Sequence, residues 1–207
     1  MVKRERIDIL CLQETKKEQV DKVVCQALWG DADVSWELQP ACNSAGGILC
    51  LWSQKTFRLE RKHIGCNFIY LEGIWVADGE KVNIINIYSL CDLNQKRILW
   101  EQIRRLRNSN MGGLWYILGH FNSIRRSSER VGTCHRGQDE RSLQEFNEWI
   151  ANLQVEDVPC VGRKFTWDRN LSGFWIVDSK IKHSEKLSKS AGQPTMSEVG
   201  EALIFQC

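Results

Sequence analysis

The 207-residue chain lacks any segment suited to cross a membrane or to direct secretion. It has no run of about 18 apolar residues, which a spanning helix needs, and residues 1–6 carry no apolar signal region. Its nine cysteines include no Cys-x-x-Cys pair, and their number is odd. We therefore expect an intracellular protein, nuclear or cytoplasmic, whose thiols are reduced rather than joined in a disulfide framework.

A strong overall charge is also absent. The net charge of +2 excludes the chain-wide basic surface that is typical of many nucleic-acid-binding proteins. Positive charge is local instead, in one group of arginines after residue 122 and another on a predicted helix: Arg125, Arg126, Arg130, Arg136 and Arg141, then Arg97, Arg104, Arg105 and Arg107. The first group suits contacts with backbone phosphates, or equally an ordinary solvated loop paired with nearby acids.

Hydrophobic periodicity predicts one α/β domain in which two packed sheets are flanked by helices. Strands are expected over 7–12, 46–52, 68–76, 81–90 and 114–118, and helices over 17–28, 93–107 and about 140–153. Asp78-Gly79 predicts a hairpin turn, while Asp92 and Asp139 are the expected helix caps. The apolar face of the first helix is expected to hold Val20, Val23, Val24, Ala27 and Leu28.

Three of the predicted strands end in polar residues. Gln13-Glu14-Thr15 follows the first strand, Tyr88 and Ser89 end another, and Gly119-His120-Phe121-Asn122 follows the run 114–118. Open α/β sheets usually carry their chemistry at such ends, so one shared site is predicted. On the residues alone, Glu14 suits either a Mg²⁺ ligand or an acid at the start of the next helix.

These segments resemble the endonuclease/exonuclease/phosphatase superfamily, which has the deoxyribonuclease I-like fold. They are most similar to apurinic-type endonuclease domains of plant non-LTR retrotransposons. The similar segments follow the family's order: residues 8–16, 44–48 with 51–53, 86–89, 119–122 and 164–167. The resemblance implies a Mg²⁺-dependent endonuclease acting on DNA, with Glu14 as the metal ligand and Tyr88, His120 and Asn122 as the catalytic positions.

The departures from the family are as informative as the matches. His120 stands where the family has an aspartate; it could act as a base near neutral pH but supplies no anion and suits Mg²⁺ poorly. The family's early Asn strand and its closing Ser-Asp-His motif have no counterpart. We therefore expect an incomplete domain over 1–168, truncated at both ends, and a divergent, poorly ordered tail over 169–207.

Function follows as an expectation with two alternatives. The chain is expected to be a catalytically impaired or inactive relative of a DNA endonuclease. One alternative is a working phosphoesterase of the same fold, in which His120 replaces the aspartate. The other is a non-catalytic remnant that binds nucleic acid or protein. The sequence leaves the oligomeric state open.

Overall fold

The structure, a computed structural model, describes residues 7–42, 46–110, 112–129, 136–158, 174–177 and 202–205. The strands are β1 (Ile9–Gln13), β2 (Ser35–Gln39), β3 (Ile48–Trp52), β4 (Phe57–Gly65), β5 (Phe68–Trp75), β6 (Lys81–Tyr88), β7 (Leu114–His120), β8 (Glu156–Val158), β9 (Phe174–Val177) and β10 (Ala202–Phe205). The helices are α1 (Lys22–Trp29), α2 (Leu93–Ser109) and α3 (Arg136–Leu153), with a 3-10 turn at Ser127–Glu129.

The strands form two sheets that pack face to face. One has four strands in the order β2-β3-β1-β9, and the other has six in the order β4-β5-β6-β7-β10-β8. A buried apolar cluster from both sheets fills the space between them. The outer face of the smaller sheet packs on α1, and the outer face of the larger sheet packs on α2 and α3. The predicted α/β sandwich flanked by helices is confirmed.

A period of two along β6 and β7 decides which side chains enter the sandwich. Val82 and Ile84 on β6 and Tyr116 and Leu118 on β7 belong to the cluster between the sheets, whereas their neighbours pack against the helices. Successive side chains of a strand point to opposite faces. The last residues of both strands therefore continue the inward-facing row to one open end of the sandwich.

A helical crossover joins these two parallel strands. The chain leaves β6, forms α2 and returns as β7, which pairs in parallel with β6 from Val82–Leu114 to Tyr88–His120. Asp92 caps the helix as predicted, accepting a hydrogen bond from the Gln95 amide at 2.9 Å. Such caps satisfy one of the free amides of a first helical turn.

The prediction for α1 was partly wrong. The helix starts at Lys22 rather than at residue 17, because Asp21 caps it by accepting a hydrogen bond from the Val24 amide. In this register Cys25 and Trp29 face the sheet, whereas Val23 is 72% exposed. The predicted apolar face was therefore wrong, because Val24, Ala27 and Leu28 are exposed as well.

Of the other predicted features, the hairpin turn is confirmed, while one helix start and two strands differ from expectation. The hairpin turn at Asp78-Gly79 is confirmed between β5 and β6, with the Gly79 amide bonded to the Trp75 carbonyl. Helix α3 begins at Arg136, so Asp139 lies within the helix instead of capping it. Strands β2 and β4 were not predicted, since only two of the five residues of β2 are apolar and β4 is mostly polar.

Two short strands of the region after residue 168 pair with the sheets. β9 is antiparallel to β1, and β10 lies parallel to both β7 and β8. For these eight residues the expectation of a tail that packs loosely does not match the pairing. The motif at 164–167 and the segment 178–200 lie outside the described residues. No helix in the described ranges has the length and apolar character needed to cross a membrane.

Candidate functional site

The loop after β1 carries Glu14 in a strained backbone conformation. Glu14 and Lys16 have φ angles of 55° and 54°, in the left-handed region that non-glycine residues seldom adopt. Hydrogen bonds from the Thr15 and Lys16 amides to the carbonyls of Gly47 and Gly46 hold the loop in place. Strain of this kind, held by its surroundings, is often found at functional sites.

Tyr88 and His120 lie side by side at the same end of the sandwich. Their rings stack with centroids 5.8 Å apart and planes inclined by 28°. The Tyr88 ring also lies beside Gly46, where a Cβ atom would stand 3.6 Å from it. The ring is therefore close both to the imidazole and to Gly46, whose carbonyl holds the loop of Glu14.

Asn122 connects the ends of β6 and β7. Its Nδ2 donates to the Ser89 carbonyl at 2.5 Å, and its Oδ1 lies 2.8 Å from His120 Nε2. The Ser89 amide donates in turn to the His120 carbonyl at 2.8 Å. Asn122 itself has a left-handed φ of 49°. The side-chain amide of Asn122 is thus bonded within the protein at both of its polar atoms.

Electrostatic coupling brings Glu14 into the same group. Burial lowers the pKa of His120, while the Asn122 contact and the Glu14 charge act to raise that pKa and the Lys96 charge acts to lower it. Burial also raises the pKa of Tyr88, with smaller contributions from the charges of Glu14 and Cys91. At neutral pH the imidazole is therefore uncharged, and Tyr88 keeps its hydroxyl proton.

All four predicted site residues thus lie at one end of the sandwich. Glu14 follows β1, Tyr88 ends β6, His120 ends β7 and Asn122 follows it. Their roles stay predictions.

The donor set at this end does not fit a Mg²⁺ centre by itself. Mg²⁺ prefers oxygen ligands, carboxylates above all. In the described ranges, no group of three or more His, Cys, Asp or Glu side chains is placed to hold a metal ion. The carboxylate of Glu14 has the ammonium of Lys16 3.8 Å away, and its charge also acts on the phenol of Tyr88 and the imidazole of His120.

Two polar anchors of this site were not predicted from the sequence. Gln13, buried at the end of β1, donates to Asn86 Oδ1 across the sandwich at 2.5 Å. Lys96, on α2 and 4% exposed, donates its ammonium to the Asn122 carbonyl. The sequence does carry a signal for Lys96: its spacing of three residues from Leu99 and seven from Ile103 places a lysine on the apolar face of the helix, and lysine is almost never buried without a partner.

The predicted arginine groups have mixed surroundings. Arg125 bonds to Asn147 on α3, while Arg97 and Arg141 both pair with Glu145. Arg104 and Arg105 pair with Glu101 along their own helix. Arg126 is exposed, and Arg130 lies outside the described residues. Part of the charge of both arginine groups is thus neutralised within the domain.

Comparison with solved structures identifies the fold. The chain is similar to an AP endonuclease, LMAP, from Leishmania major, with 18% identity and a TM-score of 0.53, over 73% of this chain and 59% of that one. The human Nocturnin catalytic domain with bound sulfate gives 15% identity, a TM-score of 0.45 and coverages of 59% and 54%. Truncated Caenorhabditis elegans TDP2 gives 22% identity and a TM-score of 0.43, over 66% of this chain and 57% of that one. No protein-family model and no curated protein matches the chain.

The architecture is that of a deoxyribonuclease I-like protein, α/β with two sheets between helices. At this level of identity the likeness to the endonuclease shows the fold alone. The chain spans about 59% of the length of that protein, so the fold is incomplete relative to it.

Proposed function

We propose that this chain is a nuclease-type domain related to Mg²⁺-dependent DNA endonucleases of retrotransposon type, and that its own turnover is strongly impaired. The observation that carries the proposal is the meeting of Glu14, Tyr88, His120 and Asn122 at one end of the sandwich. The motif order in the sequence and the deoxyribonuclease I-like fold support the same family.

The impaired turnover follows from the chemistry that phosphodiester hydrolysis requires. Charge on the phosphate must be neutralised, a water activated and the leaving oxygen stabilised. The described part of this site offers a single carboxylate beside a neutral imidazole. Loss of one preorganised electrostatic group typically costs about 100- to 1000-fold in rate, and a metal centre needs several such groups at once.

Binding of nucleic acid without cleavage is the second candidate. Lys16 is 62% exposed next to Glu14, and Arg126 is exposed four residues after Asn122. Cations on the rim of a cleft can neutralise backbone phosphates without reading the base sequence. The Tyr88 hydroxyl, kept protonated by burial of the ring, remains a donor for a phosphate oxygen.

Plasmid nicking tests the main proposal. Purified protein is incubated with supercoiled DNA and Mg²⁺ or Mn²⁺, with a Glu14→Gln protein as the matched control. We expect background nicking by both proteins. Metal-dependent nicking that disappears in Glu14→Gln would contradict the proposal and favour the working phosphoesterase.

A salt series of gel-shift measurements tests the binding candidate. We expect weak DNA binding that falls as salt rises. Each of Lys16→Gln and Arg126→Gln should lower the slope of log affinity against log salt by about 1. Glu148→Gln, an exposed position on α3, is the control and should leave the slope unchanged. Salt-independent or absent binding would exclude the candidate.

A further inference from the structure

Lys96 places a buried positive charge beside the candidate site. It lies on the first turn of α2, and its side chain is buried and reaches the turn that follows β7. Removing an ammonium from water is unfavourable unless the charge finds partners. One partner that the structure gives is the main-chain carbonyl of Asn122, the residue that bridges β6 and β7. The positive charge of Lys96 therefore lies at the candidate site and not on the exposed surface of the helix.

The bonds of Asn122 determine the orientation of its amide. The Ser89 carbonyl can only accept, so the Asn122 atom that faces it must be the amide nitrogen. Oδ1 is then the atom that faces His120, at 2.8 Å from Nε2. Because Oδ1 can also only accept, Nε2 must carry the proton of the neutral ring. The lone pair is left on Nδ1.

We infer that Lys96 is a positioning residue of this site: by holding the Asn122 carbonyl it keeps the amide bridge in place and selects the His120 tautomer with the proton on Nε2. The free Nδ1 then accepts hydrogen bonds from a bound group that donates one, such as a water molecule beside a phosphate. Only the identity of that bound group rests on the proposed function. The tautomer and the role of Lys96 do not.

A purely structural role is the competing explanation. Lys96 would then tie α2 to the end of β7 and have no effect on the imidazole. Both explanations predict some loss of stability when Lys96 is replaced, so stability does not separate them. The two explanations differ in what they predict for the tautomer of His120, because only the positioning role makes the protonated ring nitrogen depend on Lys96.

The experiment is a long-range ¹H–¹⁵N spectrum of the full chain with ¹⁵N-labelled histidine, recorded where the imidazole is neutral. The chain has four histidines, and a His120→Gln protein assigns the signals of His120. In the native protein we expect a protonated Nε2 and an unprotonated Nδ1. In Lys96→Met, which keeps the length and removes the charge, the single tautomer should give way to a mixture. Lys96→Arg should restore it.

Two controls make the outcome decisive. Arg97→Met removes the neighbouring cation, which pairs with Glu145 on α3, and should leave the His120 shifts unchanged. Asn122→Ala removes the bridge and should give the mixture even with Lys96 present. A folded Lys96→Met protein with native His120 shifts would overturn the inference. A native protein with the proton on Nδ1 would do so without any variant. Nicking and gel-shift results on the same samples bear on the proposed function alone.

Discussion

Tyr88 and His120 face each other across the parallel strands β6 and β7, and their rings stack at 5.8 Å because the register pairs these two positions. A slip of one residue would turn either ring from the inside of the sandwich to the helix side. The geometry of the candidate site therefore depends on the pairing of two strands that a 17-residue helix connects.

Gly119 is the position where this pairing is most sensitive to a side chain. Its φ is 129°, and a Cβ atom would overlap the backbone of Ile87 on β6. We expect Gly119→Ala to lower the free energy of unfolding by about 2–4 kcal/mol, because overlap adds to backbone strain. Urea unfolding measures the change.

Gly79 supplies the matched control. It also has a positive φ, 72°, but a Cβ atom at that turn would have no neighbour within 4 Å. Gly79→Ala should therefore cost only the conformational strain, about 1 kcal/mol. Equal losses at the two positions would show that β6 and β7 do not approach as closely as described.

The second prediction concerns a buried acid far from the candidate site. Glu72, 4% exposed, accepts bonds from Arg61 Nε and Lys81 Nζ, both at 2.7 Å. Burial alone would raise the pKa of Glu72, but the bonds from Lys81 and Arg61 outweigh burial and lower that pKa. Its stabilising contribution is thus complete above the pKa of the unfolded chain and is lost as pH falls through the lower, folded pKa.

Glu72→Gln should consequently destabilise the protein at neutral pH, by about 1–3 kcal/mol for a buried charged hydrogen bond. The gap between native and variant should close in acid. Urea unfolding at several pH values checks this. Glu101→Gln, which removes an exposed pair partner on α2, should have little effect at any pH. A gap that widens as pH falls would contradict the assignment.

Much of the fold could be predicted from the sequence, because local patterns determine it. β6, β7 and α2 have strong periodicity, and Asp92 and Asp78-Gly79 are local signals. Trp29 on α1 and the polar strand β4 were missed, because tertiary packing decides both. In the site, Glu14 and His120 could be found as strand ends, while the bond of Lys96 to Asn122 joins residues 26 positions apart.

A third prediction concerns β9 and β10. A chain ending at residue 168 would lose both strands, leaving edges of β1 and β7 unpaired. Unpaired edges favour association between chains. We expect this shorter chain to elute as aggregates in size-exclusion chromatography and to melt at a lower temperature than the full chain. Removing only residues 206–207 is the control and should change neither property; an unchanged 1–168 chain would support the predicted domain boundary.

The last prediction is that His120→Asp does not restore cleavage. An aspartate there would place a second carboxylate near Glu14 and would suit Mg²⁺ better than imidazole does. We therefore expect Mg²⁺ or Mn²⁺ to raise the melting temperature of this variant more than that of the native protein. The His120→Asn variant, whose side chain is neutral and has the size of aspartate, should show no such rise in melting temperature. The same holds for His120→Asp combined with Glu14→Gln.

Cleavage needs more than a second carboxylate. The family resemblance implies a closing Asp-His pair, which the proposed function takes to be missing here, and each missing electrostatic group costs about 100- to 1000-fold in rate. Residues of one catalytic unit are not additive, so these losses need not multiply, but even one of them leaves turnover near background. Plasmid nicking by His120→Asp with Mn²⁺ should therefore equal that of the native protein. If His120→Asp nicks DNA in a metal-dependent way, and the double variant with Glu14→Gln does not, the histidine at position 120 alone would have inactivated an otherwise complete site.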